Sequence, residues 1–190
     1  MHKRFWNYKT LGEGQVVYVL ESGCDMDHPE ITNVTFQDWI FAGGFPDDEQ
    51  NEVYTDNGYH GTPVVGRVAG KNTGVAQKAS IVVVKYVDGR GEWIPEYTLD
   101  GLIRIHDHIL RNNAHRNCII NISLSYTPAR ERQIFVADYE TNYEEVLQDV
   151  IDALMELPNV IMVVGSGNED PLVYKPAFRS KFVYNDEKPT

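Results

Sequence analysis

The stretch VVYVLESGCDMDHPEI, Val16 to Ile31, decides how the rest of the chain is read. An apolar run, Val16 to Leu20, passes without alternation into Glu21, a Ser-Gly turn and a loop crowded with acids. A short continuous run of this kind, bounded by turn residues, marks a strand covered on both faces. Soon afterwards comes DNGYHGTPVVGRVAG, Asp56 to Gly70, with His60 at the start of a helical pattern. A carboxylate at a strand end and a histidine at a helix start are two of the three groups of a hydrolytic triad, or the remains of one.

Working outward, four runs predict buried strands: QVVYVL (15–20), SIVVVKYV (80–87), CIINISLS (118–125) and NVIMVVGSG (159–167). Helical patterns lie between them. GTPVVGRVAG (61–70) is short and Gly-rich, and TLDGLIRIHDHILRNN (98–113) is longer. YEEVLQDVIDALMEL (143–157) sets Val146, Val150, Ile151 and Leu154 on one stripe, with acids in its first turn. Alternating strands and helices predict an α/β fold, a parallel sheet with right-handed crossovers. Such sheets bind ligands beyond the carboxyl ends of their strands, so Glu21, Asp88, Ser125 and Asn168 are expected along one edge. The acidic, turn-rich FPDDEQNEVYTDNG (45–58) reads as a surface loop.

Composition bounds the partners. The 190 residues carry 17 Lys and Arg against 28 Asp and Glu, a net charge of −11. That balance argues against a nucleic-acid or anionic-membrane surface. Hydrophobic content of 42% with 24% charge is ordinary for a globular domain. No window approaches the ~18 apolar residues of a membrane span. MHKRFWNYKTLGEG at the N-terminus holds no apolar run to serve as a signal peptide, and the compartment stays open. Cys24 and Cys118, both in or beside apolar runs, read as buried free thiols rather than a disulfide framework.

Four blocks together carry a family likeness. VVYVLESGCDMDHPEI resembles the Asp-Thr/Ser-Gly block of subtilisin-like serine peptidases, the proteinase K branch especially. DNGYHGTPVVGRVAGKNTGVAQKASIVVVKYVD is similar to their His-Gly-Thr-His block with its helix, turn and strand. IINISLS resembles the strand bordering bound substrate, and VIMVVGSGNED the block with the oxyanion Asn. The blocks occur in family order over Gly12 to Asn168.

The resemblance implies that Glu21 holds the place of the triad Asp, His60 that of the triad His, and Asn168 that of the oxyanion donor. It also implies groove walls at Gly91, Glu92 and Trp93, and at Ser123, Leu124 and Ser125. A carboxylate bonded to one imidazole nitrogen fixes the tautomer and leaves the other to take the nucleophile's proton. An oxyanion amide contributes roughly 10²–10³ in rate, a figure that itself comes from a subtilisin.

Departures from the family pattern fall on the same places. Glu21 carries one more methylene than Asp and moves the carboxylate by more than an ångström unless the backbone withdraws. Mis-set imidazole tautomers cost on the order of 10⁴ in turnover. The family's Gly-Thr-Ser-Met-Ala nucleophile block has no counterpart among these residues, and neither Ser166 nor Ser180 stands in such a setting. Trp93 replaces a Gly on one wall, where substrate would add as a strand, and Ser125 replaces a Gly on the other. Pro63 stands at the second His of His-Gly-Thr-His, where a helix's first turn tolerates it. Val65 and Arg67 replace smaller residues on a helix that the family buries, so Arg67 needs a partner or a route to solvent.

Other constellations read more plainly. His28 with Asp25 and Asp27 suggests a metal, but the family keeps a non-catalytic His there and three donors in one loop name no metal. His106, His108 and His115 read as surface histidines, since positions two apart share no helix face. Gly165-Ser166-Gly167 lacks the remaining features of a dinucleotide fingerprint. The resemblance implies that calcium sites can occur, but no acidic set matches one clearly enough to assign; no metal ligands are assigned and no cofactor is expected.

The sequence thus predicts one partial subtilisin-like domain over 1–190, truncated before the serine-bearing helix, with FVYN (182–185) opening a further strand. Its expected chemistry is that of a serine endopeptidase homologue inactive as encoded. The alternative is a pseudopeptidase that binds peptides or proteins in the former groove. A sheet cut in mid-domain exposes an apolar edge, so self-association is expected as well.

Overall fold

A computed structural model describes residues 9–43, 54–87, 91, 95–124 and 137–165. Five parallel strands form one sheet: β1 (Val16–Glu21), β2 (Thr35–Phe41), β3 (Ser80–Lys85), β4 (Cys118–Ile122) and β5 (Val160–Val164), in the order β2-β3-β1-β4-β5. The helices are α1 (Gly61–Ala69), α2 (Pro95–His108), continued by a π-helical turn at Ile109–Asn113, and α3 (Ala137–Glu156). The parallel α/β sheet read from the sequence is the observed architecture.

β1 is central because every residue from Val16 to Glu21 is buried. Its side chains alternate between two cores, as the pleat requires. Val16, Tyr18 and Leu20 meet Leu102, Ile105 and Leu154 of α2 and α3 on one face, and Val17 and Val19 meet Val65 and Ala69 of α1 on the other. Each fully buried aliphatic side chain contributes about 1.5–3 kcal/mol, so Leu20→Ala would be among the most disruptive single changes. α2 lies close to the sheet at Gly101, where a Cβ would come within 2.8 Å of Leu20 Cδ1.

Three expectations need correction. β2 was not among the four predicted strands. Its register slips between Phe36 and Asp38, a bulge that spoils the side-chain alternation a sequence pattern relies on. The predicted 98–113 helix ends as α-helix at His108, and the π turn that follows turns the Asn113 amide to the Tyr18 hydroxyl, 2.7 Å away. His108 is buried, not a surface histidine: its Nδ1 lies 2.8 Å from the Tyr18 hydroxyl and its Nε2 3.0 Å from Asp38 Oδ2. On α3, Ile151 and Leu154 face the core as expected, while Val146 is exposed. Cys24 and Cys118 are buried free thiols. Arg67 points outward and reaches solvent.

Among the described strands β5 pairs with β4 alone, and Ile161 and Val163 on it are exposed. Among the described residues no helix is long and apolar enough to cross a membrane.

Candidate active site

The site forms where β1 ends and α1 begins. Glu21 is the last residue of β1, in register with Lys85 at the end of β3. Its side chain falls on the α1 face, following Val17 and Val19 by the two-residue period. α1 starts directly behind it, and its first N–H groups need acceptors from outside the helix. Ser22 Oγ accepts from Gly61 N at 3.0 Å, and Asp56 Oδ2 accepts from Thr62 N at 2.8 Å. Ser22 Oγ donates in turn to Asp56 Oδ1 at 2.6 Å, and Thr62 Oγ1 donates to Asp56 Oδ2 at 2.6 Å. His60, at the N-cap position, makes no side-chain capping bond. Its ring is therefore left for the carboxylate, with Nδ1 2.9 Å from Glu21 Oε2.

Two glycines permit this closeness. Gly23 has φ +124°, and a Cβ there would fall 2.0 Å from Thr55 O. At Gly61 a Cβ would fall 2.0 Å from Gly23 O. The Ser-Gly and His-Gly pairs seen in the sequence are thus where backbone packs on backbone.

The electrostatics are unequal across the pair. Glu21 is fully buried, whereas the His60 side chain is 58% exposed. Burial pushes the Glu21 carboxyl up, and the hydrogen bond and charge of His60 pull it back only in part. Its second oxygen, Oε1, is buried without a hydrogen-bond partner among the described residues. Burial and the neighbouring Glu21 charge also push the Tyr86 phenol up. Asp56 resolves the opposite way: burial raises it, but the bonds from Ser22, Thr62 and Gly61 outweigh burial and hold it below the usual carboxylate range. With Glu21 ionised, a proton on His60 Nδ1 is donated to it and Nε2 is then the acceptor nitrogen of the ring.

The remaining predicted residues divide in two. Leu20 pairs with Ile122, so Ser123 and Leu124, just past β4, lie beside Glu21 on the carboxyl edge of the sheet. Ser123 Oγ accepts from Asn121 Nδ2 at 2.9 Å. Gly91 has φ +78°, and a Cβ there would fall 2.8 Å from Asn57 O, next to the turn that leads to His60. Glu92, Trp93, Ser125 and Asn168 lie outside the described residues, as do Asp88, Ser166, Ser180 and 182–185. His28 Nδ1 accepts from Glu30 N at 3.2 Å, a local turn bond. Among the described residues no three His, Cys, Asp or Glu side chains stand as a metal-holding group.

Sequence reasoning did not reach Ser22, Asp56 and Lys85. Lys85 is buried, and its ammonium donates to Thr55 O at 3.1 Å and to the side-chain oxygen of Asn57, tying down the turn before His60. A lysine closing an otherwise apolar run, VVVK, was the available signal, since a buried ammonium must find acceptors.

Comparison with known proteins bears on the family and the fold. The sequence profile of the subtilase family matches residues 12–187. Alkaline protease 1 of Aspergillus flavus is 30% identical over 161 residues, covering 85% of this chain and 34% of that protein. A subtilisin-like protease of Coccidioides posadasii is 33% identical over 122 residues, covering 64% of this chain and 29% of that protein. Among solved structures, a cold-adapted subtilisin-like serine proteinase superposes with a TM-score of 0.59 at 22% identity, covering 87% of this chain and 51% of that one. The CspB protease of Clostridium perfringens gives the same TM-score, 0.59, at 23% identity, covering 86% of this chain and 37% of that one. The chain thus spans about a third of these curated relatives and 37% to 51% of these solved neighbours. With a profile match from residue 12 to residue 187, on a sheet whose central strand delivers an acid to His60, the chain belongs to the subtilase family.

Proposed function

We propose that these 190 residues carry the acid–base half of a subtilase site and do not hydrolyse peptides by themselves. The observation that supports this reading is the 2.9 Å contact of Glu21 Oε2 with His60 Nδ1. Glu21 stands for the family's Asp and holds the imidazole tautomer. His60 is the base, and Asn168 takes the oxyanion position. Gly91, Glu92 and Trp93 form one wall of the peptide groove, and Ser123, Leu124 and Ser125 the other. A base with no hydroxyl to deprotonate makes no acyl-enzyme, so turnover stops before its first step.

Ser22 does not fill the vacancy. Its hydroxyl hydrogen goes to Asp56, and its oxygen accepts from Gly61 N and, at 3.3 Å, from His60 N. It is committed to holding the helix start and is not presented to a substrate carbonyl.

A second reading, a pseudopeptidase that binds peptide or protein, is favoured by the Glu21 carboxylate. One buried oxygen without a partner is a poor arrangement for an acid that must stabilise an imidazolium at each turnover.

Hydrolysis of fluorescein-labelled casein by the purified chain, set against His60→Ala, tests the proposal. Equal background from both is expected. Hydrolysis that disappears in His60→Ala would overturn it.

A further inference from the structure

A groove of about 1180 Å³ opens between the Asp25–Glu30 loop, the Tyr54–Tyr59 turn and the outer side of α1. Its lining includes large apolar side chains that the fold leaves in solvent: Met26, Tyr54 and Tyr59, the last 87% exposed. Exposed aromatics gathered on one concavity mark a contact surface more often than scattered ones do. Tyr54 is set in place from behind, its ring edge-on to Trp39 at 5.4 Å and to Phe41 at 5.5 Å. Tyr59 is held differently, at φ +55°, by a turn that Asp56 and Ser22 fix from inside the protein.

The charges of the groove have a definite sign. Glu30 and Asp56 are spent on internal bonds, Glu30 to Asn72 and Thr73 and Asp56 to Ser22 and Thr62. His28 is spent on Glu30 N. Asp25 N donates to Thr62 Oγ1 at 2.9 Å while its carboxylate accepts from Asp27 N at 3.0 Å, and neither Asp25 nor Asp27 pairs with a cation among the described residues. Arg67 is the one lining cation among the described residues. Two carboxylates without a cation partner among the described residues line the same groove as two exposed tyrosines, a combination that matches a guanidinium or ammonium group, which gains from both.

We propose that this groove docks an extended polypeptide segment bearing arginine or lysine, whose cation lies against the Tyr54 and Tyr59 rings and pairs with Asp25 and Asp27. The inference goes beyond the peptide groove proposed above, since none of the residues lining this surface is one assigned to that groove. It uses neither the ring of His60 nor the Glu21 carboxylate, so the casein assay and a peptide titration fail independently.

The test is fluorescence anisotropy of the whole chain with two labelled probes, acetyl-Ala-Arg-Ala-Arg-Ala and acetyl-Ala-Glu-Ala-Glu-Ala, at moderate salt. Saturable binding of the Arg probe alone is expected. Tyr59→Gly and Asp27→Asn should each weaken it about threefold or more, as loss of an exposed cation–π or ion-pair contact would. Glu156→Gln, an equal charge change on exposed surface at the end of α3, should leave it unchanged. Thermal melts of each variant separate lost binding from lost folding, and Asp27→Asn carries the test if Tyr59→Gly unfolds. No saturation, equal binding of both probes, or equal weakening by Glu156→Gln would overturn the proposal, the last two by reducing it to net-charge attraction.

Discussion

Glu21 Oε2 lies 2.9 Å from His60 Nδ1, while Oε1 of the same buried carboxylate has no partner among the described residues. One oxygen does the orienting and the other is desolvated without return. The arrangement retains the geometry of a triad's acid and base, and it is costly to keep ionised.

That cost has a pH signature. Burial raises the folded-state pKa of Glu21 above its ordinary 4.5, so the folded state holds the proton to higher pH than the unfolded state does. The contribution is therefore neutral below about 4.5 and becomes destabilising as pH rises from there toward the folded value. Glu21→Gln should flatten this fall when urea midpoints are compared between pH 4.5 and 7. An unchanged slope would contradict the assignment.

Glu30 titrates in the opposite sense and in a separate window. Its carboxylate accepts from Asn72 Nδ2 at 2.8 Å and Asn72 N at 2.6 Å, and from Thr73 N at 2.6 Å and Oγ1 at 2.9 Å, which lowers it to about 2. Its stabilisation is present above the ordinary 4.5 and disappears as pH falls toward 2. Glu30→Gln should remove that acid-side loss, read from thermal melts between pH 2 and 4.5, and leave the Glu21 slope in place.

Asp56 is the hub of the helix start. Asp56→Ala removes the acceptor for Ser22 Oγ, Thr62 N and Thr62 Oγ1 in a part-buried setting. A cap residue contributes about 0.5–2 kcal/mol. A donor left buried without an acceptor costs about 1–3 kcal/mol more. Chemical denaturation should show a loss of about 2–4 kcal/mol, with Asp56→Asn losing less. A loss below 1 kcal/mol would show that solvent replaces these bonds.

We propose that the exposed side chains of β5 lead the chain to associate. Ile161 and Val163 are 61% and 49% exposed on β5, which pairs with β4 alone among the described strands. We expect concentration-dependent mass in light scattering, reduced by Ile161→Lys and Val163→Lys. A monomer at every concentration would remove this expectation.

Much of this was legible in the chain itself, for identifiable reasons. β1, β3, β4 and β5 are continuous apolar runs, and double-sided burial imposes that pattern directly. β2 was hidden because its bulge at Gln37 and the polar Asp38 break the period. Glu21 and His60 were readable because each sits in a local motif. The Ser22–Asp56 bond was not, since it joins residues 34 apart whose meeting depends on how the turn packs. His108 was misjudged because helix spacing says nothing of a tyrosine hydroxyl arriving from β1, 90 residues away.

We propose that these 190 residues pair the Glu21 acid with the His60 base and supply no nucleophile of their own. Intact-mass analysis after incubation with a fluorescent serine-directed phosphonate tests this. No added mass on a folded chain is expected. A single adduct on a serine, abolished by His60→Ala, would show an activated nucleophile and contradict it.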